Sequence, residues 1–316
     1  MYYYKSFKVK FLIVLSFYSI LMPPRVCAQH FTTIKSNEGV EILENGKKVL
    51  FYQARPKSVD GKYERAGYVH PLYTLNEKIL TEDMPADHPY HRGIFWAWHQ
   101  IILKDKKIAD GWISENISWK PGKVKTRIRK ERVILQTKII WNANLEQNIP
   151  TAIVREKTRI TVYRSTPQYR ILDFEIHLFA KEDNLKIGGS DDIKGYGGFN
   201  LRLKLPKDLT FVSENKIVVP QETQVLAGPW MDFRGSFEGE SLPKTGVVVF
   251  GYPSGLGHQY PWILRKETSM QNIPYPGRTP IELTKKGLRL KYRIIVYNGE
   301  MKNADIEKLY EQYRKS

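Results

Sequence analysis

The sequence predicts an all-β fold, a large antiparallel β sandwich of supersandwich type with one short C-terminal helix. Apolar and polar residues alternate over many runs, turn-forming Gly and Pro are scattered between those runs, and helical periodicity is convincing only at the end of the chain.

The elements follow in order. Lys5, Lys8 and Lys10 precede an apolar run over 11–22, and the small-residue pattern Val26-Cys27-Ala28 follows, which reads as a signal peptide cut after Ala28. The run is shorter than the ~20 residues that span a bilayer, and Pro23 and Pro24 end it, so a retained anchor is not expected. Cys27 is the only cysteine, and Pro24-Arg25-Val26 lacks the small residue expected before a lipidated cysteine. The mature chain, 29–316, then has no disulfide, thiolate metal site or cysteine nucleophile. It reads as one β-sandwich domain without a linker, with a periplasmic or secreted location.

Strands are expected over 40–52 (turning at Asn45-Gly46), 94–103, 112–119, 131–141, 152–164, 168–180, 199–205, 246–252 and 288–297. In 131–141 the residues Val133, Leu135, Thr137, Ile139 and Trp141 share a face; in 199–205 Phe199, Leu201, Leu203 and Leu205 oppose Asn200, Arg202 and Lys204. In 288–297 Leu288, Leu290, Tyr292, Ile294 and Val296 oppose Arg289, Lys291 and Arg293. Asn303 is a candidate cap for a helix in which Ile306, Leu309, Tyr310 and Tyr313 recur at helical spacing.

The formal charge is +17, of which Lys5, Lys8, Lys10 and Arg25 of the leader supply four, leaving +13 on the mature chain. Such a field favours anionic partners. The densest basic run, Lys123 to Arg132, alternates like a strand and reads first as a solvated sheet face. Export argues against nucleic acid, so acidic polysaccharide or a membrane surface is the anionic partner to consider; no integral membrane segment is expected after leader cleavage.

The span 68–100 holds four of the seven histidines, His70, His88, His91 and His99, with Glu82, Asp83, Asp87, Arg92, Trp96 and Trp98. Pro85 and Pro89 make the His88 region an irregular loop, which excludes a zincin-type helical pair. A polar loop feeding an aromatic strand is a natural site wall.

This span, together with Asp110-Gly111-Trp112, Gly197-Gly198-Phe199, Trp230 to Phe233, Gly257-His258 and Pro261-Trp262, resembles an uncharacterised bacterial family labelled methane-oxygenase PmoA-like. The resemblance covers nearly the whole mature chain. A membrane monooxygenase subunit needs several spanning helices, which the mature chain lacks; the resemblance implies instead an association with carbohydrate breakdown in the bacterial envelope. A sandwich similar to the sugar mutarotases is a looser, fold-level analogy.

For a sugar-modifying acid/base enzyme of mutarotase, lyase or hydrolase type, His88 and His91 are the candidate proton donors and acceptors. Asp87 and Arg92 would hold hydroxyls or a sugar carboxylate, and Trp96 and Trp98, on one side of their strand, would stack on the ring or belong to the core. His70 is a further binding candidate. On 168–180 Asp173, Glu175 and His177 share a face that either lines the opposite wall of a cleft or is solvated. Alternation sets Glu156 with Val154, Ile160 and Val162, making it a candidate base or a structural carboxylate. Asp232, His258 and Trp262 complete the set.

No cofactor is required by this reading. The rival is a divalent-metal site of His88, His91 and a carboxylate such as Glu82 or Asp87, serving an oxygenase or hydrolase. Asp191-Asp192 is a minor calcium candidate beside its glycines, although such loops are usually turns. A third class is a non-catalytic glycan-binding module.

Overall fold

Alternating inward residues build two antiparallel sheets that face each other. The computed structural model describes residues 1–4, 30–145, 149–239, 244–253, 260–268 and 270–315. Residues 5–28 of the proposed leader and His258 lie outside the described residues. A seven-stranded sheet runs in the order Phe31–Lys35, Gly39–Glu44, Lys47–Gln53, Tyr68–Leu72, Ile94–Trp98, Gly197–Leu201, Gln271–Pro274. The ten-stranded sheet has Ile117–Pro121 and Lys125–Arg129 along one edge of Arg132–Asn144. It continues through Pro150–Tyr163, Tyr169–Ala180, Leu288–Asn298, Thr245–Pro253, Trp230–Gly235, Thr210–Ser213 and Lys216–Ile217.

The expected all-β architecture is therefore the observed one. Asn45 and Gly46 both have positive φ, 54° and 78°, the signature of the type I′ turn that joins tightly twisted strands. Between the sheets Phe199 stacks on Tyr292 at 4.2 Å and meets Phe174 at 5.4 Å, while Trp98 and Trp141 lie 5.9 Å apart. Each such buried ring contributes roughly 1.5–3 kcal/mol through burial.

Three expectations need correction. The run 94–103 breaks at His99: Ile94–Trp98 stays in the large sheet, and Gln100–Leu103 joins a small sheet with Leu185–Gly188, Lys106–Ala109 and Ile281–Glu282. The run 112–119 is a turn until Ile117, because Asp110 draws the backbone back on itself. Asn303 does not cap the helix but begins it; its side chain accepts from Arg234 and donates to Asn215, and Lys302 at the cap position supplies no side-chain bond.

That helix, Asn303–Arg314, lays Ile306, Tyr310 and Tyr313 on the outer face of the ten-stranded sheet, against Trp230, Val248, Phe250, Ile295 and Tyr297. The outer face of the seven-stranded sheet is covered as well. Tyr68, Phe95, Ala97, Trp112 and Met270 form a second small core there, so Ile94–Trp98 is buried on both faces. No described helix is long and apolar enough to cross a membrane.

Candidate functional site

The covering layer over the seven-stranded sheet is the segment between Tyr68–Leu72 and Ile94–Trp98. Gly93 lets it press down, since a Cβ there would lie 2.3 Å from the Val69 carbonyl oxygen. Pro85 and Pro89 keep it from becoming regular, and Arg92 pins it. That guanidinium is fully buried and donates to the carbonyls of Pro89 at 2.8 Å, His91 at 2.9 Å and Tyr63 at 2.5 Å, with Asp83 at 3.7 Å. Arg92 is thus a clamp on the loop, which corrects its expected role as a substrate ligand.

The pinned loop stacks His88 on His91, ring centroids 4.5 Å apart and planes within 4°. His88 Nδ1 donates to Asp87 Oδ2 at 2.9 Å. Asp87 also accepts from Arg202 Nη2 at 2.8 and 2.9 Å, and Glu82 accepts from Arg202 Nε at 2.8 Å. Burial works against ionisation of Asp87, but the hydrogen bonds from His88 and Arg202 prevail and hold its carboxyl at about 2. His91 is only 2% exposed, and Arg202 Nη1 points at its Nδ1 from 3.4 Å. Burial, then His88 and Arg202, push its imidazole down to about 2, so it is neutral at physiological pH. The expected acid/base role therefore falls away from His91 and stays available to His88.

The row continues past His91. Trp112 meets His91 edge-on at 6.1 Å and stacks on His99 at 4.9 Å. His99 Nδ1 donates to Asp110 Oδ2 at 2.9 Å, and Asp110 Oδ1 accepts from the backbone N–H of Trp112 and Ile113. Burial opposes the ionised form of Asp110, and the His99 hydrogen bond outweighs it, holding the carboxyl below its usual value. Two Asp–His pairs, Asp87–His88 and Asp110–His99, thus flank His91 and Trp112. Both imidazoles are partly exposed, at 32% and 22%, and the Nε2 of each has no partner among the described residues. Beyond Trp112, Tyr196 packs at 5.4 Å and Arg265 lies over its ring, leading to a cleft of about 470 Å³ lined by Lys194, Glu222, Arg265 and Lys266.

Arg202, His99 and Asp110 carry no role in the sequence reading, although the last two fall within its motifs. Alternation put Arg202 on a solvated face, whereas the covering loop buries it to 5%. The signal for Asp110 was present: an aspartate followed by Gly111 is disposed to accept from the backbone two and three residues on.

Other candidates lie elsewhere. Trp96 and Trp98 point inward between the sheets; Trp96 Nε1 donates to Glu156 at 3.0 Å and Trp98 Nε1 to the Tyr275 carbonyl at 2.7 Å, leaving neither a face for a sugar. Glu156, 2% exposed, accepts from the indoles of Trp96 and Trp141, both at 3.0 Å, and from Thr158 at 2.6 Å. Burial raises its carboxyl above the usual range, but it is sealed in the core and is no surface base. Glu175 and His177 are on the outer face of the other sheet, with the core between them and the His88 row, so they form no opposite wall. Glu175 pairs with Arg289 at 2.6 Å, and burial followed by Arg289 lowers the His177 imidazole.

Asp232 is buried near the helix N-terminus between Arg234 and Tyr297, and burial pushes its carboxyl up to about 6. Trp262 is a core residue whose Nε1 donates to Gly228. His70, half-buried with Nδ1 3.0 Å from Thr81, is held down to about 4 by burial.

The metal alternative meets the same geometry. Imidazole lone pairs lie in the ring plane, so parallel stacked rings cannot both aim at one ion about 2 Å away. Glu82 is taken by Arg202, and no cluster of three or more metal-ligating side chains exists among the described residues. Asp192 Oδ1 is spent on Ser190, Lys194 and Gly195, and Asp191 on Arg278, which makes the acidic pair a turn.

The chain belongs to a family of unknown function (DUF6807), which it matches over residues 39–311. No curated protein matches it. Among solved structures, a GalM/aldose epimerase homologue from C. elegans is 12% identical and aligns with 86% of this chain and 98% of its own, at a TM-score of 0.25. A likeness that slight bears on neither fold nor function.

Proposed function

We propose that this member of a family of unknown function is an exported carbohydrate-active enzyme that moves protons on a sugar through its two Asp–His pairs. The observation that carries this reading is the repeated arrangement: two partly exposed imidazoles, each with Nδ1 held by a carboxylate and Nε2 unpartnered, at the two ends of one aromatic row. A carboxylate on Nδ1 fixes ring orientation and tautomer, leaving Nε2 to take a proton from one group and return it to another. Epimerisation, elimination and hydrolysis all need a proton donor and a proton acceptor at the sugar. Neutral His91 and buried Trp112 stand between the pairs. Arg202 orients Asp87 and through it His88, which makes it a positioning residue.

The test is a screen of the mature chain against neutral and acidic saccharides, followed by separate His88→Ala and His99→Ala variants. Each variant is expected to keep its fold by circular dichroism, to keep ligand binding, and to lose about 10²- to 10⁴-fold in turnover. Full activity in both variants on an identified substrate sinks the assignment. Binding without turnover in the unaltered chain makes the protein a glycan-binding module instead.

A further inference from the structure

An open groove of about 500 Å³ lies away from the His88 row, on the outer face of the ten-stranded sheet. Strand register explains its chemistry, because residues directly opposite in an antiparallel ladder share a face. One row across the groove is Lys125, Gln136, Arg159 and Glu175; the next is Lys138, Lys157 and His177. At the usual ~4.8 Å between strands, four strands give a track about 15 Å wide. The edge breaks between Ile117–Pro121 and Lys125–Arg129, where Gly122 donates to the Lys138 carbonyl, and Lys123 stands at that gap. Beside Gly122 and Lys123 lies a second hollow of about 440 Å³, also lined by Lys35 at the edge of the seven-stranded sheet and by Arg55 just past its strand Lys47–Gln53.

Solvated sheet faces normally interleave both signs of charge. Here Glu175 is the one acid lining the groove among the described residues, and it is engaged by Arg289 at 2.6 Å and by Arg159 at 3.7 Å. Lys123, Lys125, Lys138 and Lys157 have no ion pair with a described residue and stand well within one Debye length of one another, so the groove carries a net positive field.

We propose that this groove binds an acidic oligosaccharide, its carboxylate or sulfate groups seated on Lys138 and Lys157 and on the flanking Lys123 and Lys125. A concave track favours a chain over a flat lipid surface. Single-stranded nucleic acid would want open aromatic faces for its bases, but the neighbouring Phe179 ring is covered by Arg155 at 4.7 Å and Lys157 at 5.1 Å. Gln136 adds hydrogen-bonding capacity for hydroxyls. The inference is independent of the Asp–His pairs, which lie on the far side of the core.

Calorimetric titration of the mature chain with oligogalacturonate, a heparin-derived oligosaccharide and a neutral cello-oligosaccharide tests it. Binding of either acidic probe, weakening as salt rises, is expected; both carry uronate carboxylates, so binding of the heparin-derived probe alone would point to a need for sulfate. The pair Lys138→Glu/Lys157→Glu should lose about tenfold or more in affinity, and the milder Lys138→Ala/Lys157→Ala a smaller share. The pair Lys106→Glu/Lys216→Glu makes the same change in net charge on exposed strands elsewhere and should stay within about twofold. Equal loss in that control pair, equal binding of the neutral probe, or binding confined to anionic vesicles or RNA overturns the proposal.

Discussion

At the scale of single residues, Glu156 shows how a carboxylate in a core is kept. Its oxygens are the acceptors for two indole N–H groups and a hydroxyl, so it completes a buried polar network rather than leaving one open. Glu156→Gln keeps an acceptor for both indoles and removes the cost of burying a charge, and its thermal stability at neutral pH should hold or rise. Glu156→Leu leaves two indoles and Thr158 without their acceptor, at about 1–3 kcal/mol each, and should lower the melting temperature by several degrees. Thermal unfolding of both variants checks this; a glutamine variant as damaged as the leucine one would mean that the negative charge itself is needed opposite Arg65, a buried guanidinium that donates to the Trp96 carbonyl and acts electrostatically on Glu156. Alternation in the sequence was enough to turn Glu156 inward with Val154 and Ile160. Its partner Trp96, sixty positions earlier, was not readable, because periodicity tells which way a side chain points and not what it meets.

At the scale of elements, the same limit explains what else was hidden. Long strands such as Tyr169–Ala180 alternate cleanly, since one face is core and the other faces water, and they were legible. Ile94–Trp98 is covered on both faces, and its aromatic residues gave no sign of which ones face the site. The cover is a loop without period, fixed by Arg92 through backbone carbonyls that no motif encodes. The terminal helix was legible from spacing, but its cap was not, because Asn303 is drawn to Arg234 and Asn215. This helix covers an apolar patch of Trp230, Val248, Phe250, Ile295 and Tyr297. A chain ending at Gly299 should therefore aggregate or bind a hydrophobic dye, and Ile306→Ala in the full chain should cost about 2–5 kcal/mol. Denaturant unfolding and light scattering measure both, and a soluble, equally stable truncated chain would show the helix to be dispensable.

At the scale of the whole molecule, the buried ionisable groups pull stability in opposite directions with pH. His91 and His70 are held down, to about 2 and about 4, so the unfolded chain binds protons that the folded one refuses. Their contribution is complete above the unfolded value near ~6.5 and is lost as pH falls below it. Asp232 and Glu156 are held up, the former to about 6, so the folded chain is the better proton binder and gains stability as pH falls through that range. The total profile mixes these signs with the repulsion of a chain whose formal charge is +17. A difference between two variants separates them. His91→Asn retains an acceptor toward Arg202 but cannot titrate, so every other group cancels when it is compared with the unaltered chain. At neutral pH the variant should be less stable through lost packing against His88 and Trp112. As pH falls from about 6.5 toward 4, the unaltered chain alone bears the rising cost of a neutral buried imidazole, so the gap should close by up to about 1.4 kcal/mol per pH unit. Urea unfolding of both proteins across that range reads the gap directly, and a gap that stays constant would mean that His91 titrates in the folded chain as it does in the unfolded one.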